Sequence, residues 1–281
     1  MTDSFDASAS LPPEFYEHYA SGYEAGRLLQ GTSQIERVRT QELILRYIPP
    51  PPAVVFDIGG GPGVYARWLA QQGYEVHLVD AHPRHVELAR QAAQAQPDAP
   101  LASIEAGDAR HLTAADTSVD IALLFGPLYH LTECTNRLTA LREAWRLLRP
   151  GGMLFAAAIS RFASAFDGLR QGLLADPVFR QIVEQDLADG QHRNPTHHPD
   201  YFTTAYFHEP GELASELAES GLVHERTLPV EGPLWLFPDV VADFQQPEQR
   251  ERWLSLQRRL ESAPSLLGAS AHLLAVAHKA S

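Results

Sequence analysis

The sequence is nearly without lysine and holds one cysteine, Cys134. A single cysteine rules out an internal disulfide framework and a cysteine-rich zinc site. Cys134 falls inside a helical pattern and reads as a small, buried or half-buried residue. The basic residues are nearly all arginine, and they are scattered, with no run of them. With 22 basic against 35 acidic residues, the net charge is −13. A chain of that sign repels phosphate backbones, so nucleic acid is not an expected partner. No apolar stretch reaches the roughly 18 residues of a membrane span, so no membrane is expected either. Residues 1–13 lack the basic-then-apolar order of a secretory signal, which makes the cytoplasm the expected location. Internal repeats are also absent.

What is there fits one large domain, or one domain with an inserted cap: 281 residues, 44% of them hydrophobic. Residues 1–13, rich in Ser, Ala, Asp and Pro, read as a disordered tail. Residues 14–52 read as two helices ended by the prolines at 49–52. The first carries Phe15, Tyr16, Tyr19 and Tyr23 at helical spacing, the second Ile35, Val38, Leu43 and Ile44. Residues 53–160 then alternate short apolar runs with helical patterns. Strands are expected at 53–58, 75–79, 104–106, 120–125 and 153–159. Strands separated by helices imply a parallel, doubly wound α/β sheet. Residues 161–209 show no strand signal and read as a helical cap inserted after the fifth strand. Residues 210–281 supply a helix ended by Gly221, two last strands near 222–230 and 272–277, and a helix near 246–261 between them.

The sharpest feature is Asp57-Ile58-Gly59-Gly60-Gly61-Pro62-Gly63, directly after a strand and directly before a helix. Glycines allow the tight turn and let a ligand approach the backbone. The helix N-terminus adds free N–H groups and a partial positive charge. The dinucleotide pattern G-x-G-x-x-G fails, because its third glycine would fall on Val64, and no Gly-Lys-Ser/Thr follows for a phosphate loop. A carboxylate at Asp57 suits an ammonium and would repel a pyrophosphate.

Asp-x-Gly-x-Gly-x-Gly resembles the first motif of the class I S-adenosylmethionine-dependent methyltransferases. Further positions match in order and spacing. Asp80 ends the second strand, where an acid accepts both ribose hydroxyls, and Ala81 follows it. Gly107-Asp108-Ala109 stands at the family's adenine site. Phe125-Gly126-Pro127-Leu128-Tyr129-His130 stands at the fourth-strand motif, beside the reactive methyl. Leu147-Leu148-Arg149-Pro150-Gly151-Gly152 is the family's run before the fifth strand. The resemblance covers about 53–160 and implies a seven-stranded, mostly parallel, Rossmann-like sheet. It implies S-adenosylmethionine as cofactor, with Asp57, Gly59, Gly61, Gly63, Asp80, Ala81, Gly107, Asp108, Ala109 and Phe125 around it. The tyrosine stripe reads either as a packed helix or as a lid. In the second case Tyr19 lies against the sulfonium, a cation that an aromatic face attracts by about 0.5–2 kcal/mol. Arg27 and Arg39 are candidates for the cofactor carboxylate.

His130 is the candidate general base, since its unperturbed pKa is near 6.5; otherwise it only shapes the pocket. Tyr129, His130, Arg161, His192, Tyr201 and Tyr206 are the candidate acceptor contacts, Arg161 as a partner for a carboxylate or phosphate. The spacing of His197, His198 and Asp200 matches no common metal motif, and no metal is expected. The expected reaction is methyl transfer to O, N or C of a small molecule, a secondary metabolite among the options. Two other readings stand beside it: a cyclisation or rearrangement that keeps the cofactor without transfer, and a non-catalytic binding subunit. The expected assembly is a monomer or homodimer.

Overall fold

The computed structural model describes residues 11–20 and 24–281. Most of the expected 1–13 tail, and Tyr23, lie outside them. The N-terminal region forms three helices where two were expected: α1 (Pro13–Ala20), α2 (Glu24–Arg27) and α3 (Ser33–Tyr47). Between α2 and α3 stands Gly31 at φ 53°, a conformation no right-handed helix continues through.

The alternating region runs β1 (Val54–Ile58), α4 (Val64–Gln71), β2 (Glu75–Asp80), α5 (Pro83–Gln94), β3 (Ser103–Ala106), β4 (Val119–Leu124), α6 (Pro127–His130), α7 (Cys134–Leu147) and β5 (Leu148–Ser160). These strands pair in parallel in the order β3-β2-β1-β4-β5. There follow α8 (Ala163–Gln171), α9 (Pro177–Asp189), β6 (Gln191–His192), β7 (Ala205–His208), α10 (Pro210–Glu219), β8 (Leu222–Pro229), α11 (Asp239–Asp243), α12 (Pro247–Leu260) and β9 (His272–Lys279). β9 inserts antiparallel against β5, and β8 pairs antiparallel with β9. These are the seven expected strands.

The sheet has nine strands, because the cap is not purely helical. β7 pairs in parallel with the last two residues of β5, Ile159 to Phe207 and Ser160 to His208, and β6 pairs with β7. All four residues of β7 are buried, so it has no polar alternation to betray it. Alternating side chains of the central strands serve two cores. Val55, Ile121, Phe155 and Leu274 pack with α3 and α4 on one face. Phe56, Ala122, Leu154 and Leu273 pack with α7 and α10 on the other.

Several polar residues that read as site candidates hold this frame together. Arg161 is buried, donates from Nε to the Phe207 carbonyl at 2.8 Å and pairs with Glu212 at 2.8 Å. Tyr206 donates from its hydroxyl to Glu212 at 3.1 Å, and its ring lies under the Arg137 guanidinium at 3.7 Å. Arg161 and Tyr206 therefore lock β7 and α10 and line neither of the cavities described below. Arg39 is likewise fully buried, paired with Glu261 at 2.5 Å and Glu42 at 2.9 Å, far from a ligand-binding role. Cys134 opens α7 and is exposed, contrary to the buried position its helical context implied.

Candidate cofactor and acceptor site

Ligands of doubly wound sheets bind at the carboxyl ends of the parallel strands. There, β1 delivers Asp57 and the glycine loop. The Gly59 N–H donates to the Val79 carbonyl at 2.8 Å, and the Gly61 N–H donates to Asp80 Oδ2 at 2.8 Å. The loop is thus pinned to the end of β2. Gly61 has φ 55°, and a Cβ there would meet nothing nearer than His85 Nδ1 at 4.0 Å, so the backbone lies open to a ligand. A Cβ on Gly60 would come within 2.7 Å of the Asp57 carboxyl group. Gly63, at φ 80°, caps α4 and does not line the cavity.

Over this loop lies a cavity of about 1200 Å³. Asp57, Gly59, Gly61, Asp80 and Ala81 line it from the first two strands. Gly107, Asp108, Ala109, Phe125, Tyr129 and His130 line it from the loops after β3 and β4. Phe15, Tyr19 and Arg27 come from the N-terminal helices. The sequence-derived cofactor set is therefore assembled around one space, Gly63 excepted. Asp80 Oδ1 accepts the His82 N–H at 2.8 Å and faces His85 Nδ1 at 3.1 Å. Asp108 pairs with Arg110 at 2.5 Å and accepts its backbone N–H at 2.8 Å. Arg27 pairs with Glu36 at 2.6 Å.

Asp57 is different. It is 1% exposed, and no hydrogen bond of full geometry reaches either carboxylate oxygen among the described residues, although the Ala66 N–H at the start of α4 lies near enough to favour the ionised form in part. Burial, with the negative Asp80 beside it, pushes its pKa up to about 7. A buried carboxyl group so short of donors costs free energy unless something cationic or donating completes it.

Helix α1 closes over the cavity. Its Tyr19 hydroxyl is hydrogen-bonded to His130 Nε2 at 2.8 Å, and Phe15 meets the His130 ring edge-on at 4.8 Å. Phe15, Tyr19 and His130 are each 6% exposed. Burial, with His18 nearby, drives the His130 pKa down to about 3. So weak a base does not fit proton abstraction near neutral pH. His130 instead ties α1 to the loop after β4 through Tyr19, and the base expected there is not supported.

A second, larger cavity, about 2740 Å³, lies between the N-terminal helices and the cap. Tyr129, His192 and Tyr201 line it together with Phe202 and Trp235. His192 is fixed at both ring nitrogens, Nδ1 at 2.9 Å from Asp186 and Nε2 at 2.7 Å from the Tyr201 carbonyl. Tyr201 donates its hydroxyl to Asp176 at 2.8 Å. These side chains are rigid walls. Phe202 holds φ 62° and ψ −169°, a conformation that costs a bulky residue about 1–3 kcal/mol and that clusters at functional sites. His197 and His198 are exposed; His198 Nδ1 accepts the Asp200 backbone N–H at 3.3 Å and comes no nearer than 4.0 Å to the Asp200 carboxylate.

The two cavities share Tyr19, Arg27, Glu36, Tyr129 and His272 as lining residues. The sequence offered no sign of Glu36 or His272, or of Glu231, which joins them. They come from α3, the segment after β8 and the start of β9, and no spacing links positions so far apart. Glu36, Glu231 and His272 place ligand-type atoms within 4.8 Å of one another.

Residues 56–156 match a family model described as a methyltransferase domain. That stretch is similar in sequence to methyltransferases, and in fold to solved S-adenosylmethionine-dependent methyltransferases. Over 154 residues the chain is 29% identical to the ubiquinone/menaquinone biosynthesis C-methyltransferase UbiE of Acidiphilium cryptum. That match covers 54% of this chain and 60% of the relative's own length. A solved S-adenosylmethionine-dependent methyltransferase from Methanosarcina mazei superposes with a TM-score of 0.56 at 18% identity, covering 85% of this chain and 97% of that one. The [4+2]-cyclase SpnF superposes with a TM-score of 0.54 at 16% identity, covering 87% of this chain and 81% of that one. At such identities the likeness is one of fold. The family match spans the glycine loop through β5. The N-terminal helices, the cap and the segment holding Glu231 and His272 lie outside it. Among the described residues, no helix is long and apolar enough to cross a membrane.

Proposed function

We propose that the protein binds S-adenosylmethionine in the cavity over the glycine loop and transfers its methyl group to a small-molecule acceptor held in the second cavity. Residues 14–52 act as the lid, 53–160 as the cofactor-binding core, 161–209 as the wall of the acceptor chamber, and 210–281 complete the sheet. The observation that carries this reading is the buried Asp57 carboxyl group, whose two oxygens lack a hydrogen bond of full geometry and have only the Ala66 N–H nearby to favour the ionised form. An α-ammonium group is the cationic donor that completes them. Gly59 and Gly61 let the cofactor lie on bare backbone. Asp80, with Ala81, offers its carboxylate to the ribose hydroxyls. Gly107, Asp108 and Ala109 serve the adenine. Phe125 closes the space beside it, Tyr19 lies over the sulfonium, and Arg27 stands toward the carboxylate end. When bound, the cofactor supplies a methyl group already activated on a sulfonium. The protein's own part is alignment and exclusion of water. Tyr129 stands in both cavities and walls the path between them.

The test is the pH dependence of cofactor binding. An ammonium pairs with ionised Asp57, and in the empty protein that group takes up a proton below about 7. Affinity is expected to be flat above that pH and to fall about tenfold per unit below it, a one-proton slope. Asp57→Asn should remove the slope and leave affinity low. The same substitution should raise the melting temperature of the cofactor-free protein. A carboxyl group whose folded pKa exceeds its unfolded value loses stability as pH rises from about 4 to about 7, and stays so above. A pH-independent affinity in wild type would contradict the assignment.

Tyr19→Phe removes the hydroxyl partner of buried His130. The lost bond is worth about 1–2 kcal/mol. The lid should open more often, and S-adenosylhomocysteine release, followed by stopped flow, should quicken about tenfold. Product mass separates methyl transfer, which adds a methyl group, from a rearrangement, which does not.

A further inference from the structure

Position, tautomer and charge single out His272 among the residues shared by the two cavities. His272 opens β9, which runs antiparallel to β5, so its position opposite Ile159 sets it at the ligand-binding edge of the sheet. Its Nδ1 donates to Glu231 Oε1 at 2.6 Å, and its backbone N–H donates to Glu231 Oε2 at 3.0 Å. Ser270 Oγ also donates to Glu231 Oε2 at 2.9 Å. That Oγ in turn accepts the Glu231 and Gly232 N–H groups at 3.1 and 3.0 Å. Glu231 is therefore held by three donors and fixes the imidazole with Nδ1 carrying a proton. Nε2 is left as the nitrogen open to the cavities. A ring nitrogen oriented through its partner by a buried carboxylate is the arrangement that general bases use.

The same atoms resemble a three-ligand metal site, but their carboxylate oxygens already accept hydrogen bonds, those of Glu36 from a guanidinium. The two oxygens of Glu36 accept from Arg27 at 2.6 and 3.0 Å, and those of Glu231 accept from the three donors just named. A dication would have to displace the Arg27 guanidinium. The charged groups facing His272 are Arg27 from α2, Glu36 from α3 at 3.9 Å, and Glu231 from the segment after β8. Burial alone would favour the neutral ring. The two carboxylates outweigh it, and Arg27 only partly offsets them, so the pKa rises to about 9. That is within about one unit of a phenol, taking the tyrosine value near 10, and far from an aliphatic alcohol. Aromatic rings from Tyr129, Phe202 and Trp235 line the adjoining chamber, as suits a flat aromatic guest.

We propose that His272, oriented by Glu231, is the catalytic base of this enzyme, and that the acceptor is a hydroxylated aromatic molecule bound as its oxyanion where the two cavities join. This inference rests on the methyltransferase reading. With a pKa of about 9 the ring is mainly imidazolium near neutral pH, so the step runs through its neutral fraction, which grows as pH rises toward 9. In that form the hydroxyl proton passes to His272 Nε2. The oxygen's electron pair forms the new bond to the methyl carbon, the carbon–sulfur pair remains on sulfur, and the imidazolium later returns its proton to water.

The test uses the whole chain saturated with S-adenosylhomocysteine and 4-nitrophenol as probe, whose absorbance reports its ionisation. Wild type is expected to bind the probe as phenolate, with its ionisation shifted down by about 1–2 pH units. His272→Gln and Glu231→Gln should abolish that shift while both variants still bind S-adenosylhomocysteine calorimetrically and unfold cooperatively, which certifies that they fold. An equal shift in His272→Gln overturns the proposal. So does failure of wild type to bind the probe while it binds S-adenosylhomocysteine normally. Failure to bind S-adenosylhomocysteine overturns the cofactor reading itself, and this inference with it.

Discussion

Glu216→Ala is expected to lower folding stability by about 3–5 kcal/mol, because it strands a buried guanidinium. Arg137 on α7 is 2% exposed and donates to Glu216 on α10 from Nε at 2.9 Å and from Nη2 at 2.6 Å. Its Nη1 donates to the Leu131 and Thr132 carbonyls at 3.1 and 2.8 Å. Burial works against the Glu216 carboxylate. The bonds from His208 and Arg137 outweigh it and hold its pKa down at about 2. His208 is buried and sits 3.2 Å from the same carboxylate. One carboxylate therefore joins α7, α10 and β7, the strand that stitches the cap to the sheet. Without it, a charge and an imidazole remain inside with no counter-charge. Denaturant unfolding should show a lower midpoint with an unchanged slope. The double variant Arg137→Met with Glu216→Leu should cost much less than the sum of the single ones, since replacing both partners leaves no orphan. A loss below about 1 kcal/mol for Glu216→Ala would mean that water reaches the pair.

Asp80→Ala is expected to weaken S-adenosylmethionine binding by about 2–3 kcal/mol, roughly 30- to 150-fold. The carboxylate does two things at once. In the proposed complex it offers acceptors to the ribose, and it holds the Gly61 N–H and the start of α5 through the His82 N–H. Asp80→Asn keeps an acceptor oxygen of the same shape and should recover part of the loss. Its amide cannot receive all the donors that now converge on the carboxylate. If Asp80→Ala binds within about threefold of wild type, the ribose is not held there.

The order β3-β2-β1-β4-β5 and the cofactor cavity were legible because each depends on local chemistry. Asp57, Gly59 and Gly61 lie within five residues, and strand, turn and helix signals bracket them. Asp80 is marked by ending β2, and Asp108 by following β3 in Gly107-Asp108-Ala109. Other features were hidden because they are made by contact between distant segments. β7 is a four-residue strand buried on both faces, and so reads like any short apolar run. Arg161, Tyr206 and Arg39 look like surface or substrate-binding residues until Glu212 and Glu261 appear beside them in space. His130 sits at the position the family motif marks, yet only the packing of Phe15 and Tyr19 shows how deeply it is buried. Glu36, Glu231 and His272 carry no motif at all. They meet because β9 doubles back antiparallel along β5 and brings its first residue to the ligand edge.

The most direct measurement is calorimetric titration of the full chain with S-adenosylmethionine and S-adenosylhomocysteine at pH 8 and pH 6. Micromolar affinity for both ligands at pH 8, weakened about tenfold at pH 6 in wild type and pH-independent in Asp57→Asn, is the expected result. No heat of binding at either pH, from a sample that unfolds cooperatively, contradicts it and leaves the cavity over the glycine loop without its proposed occupant.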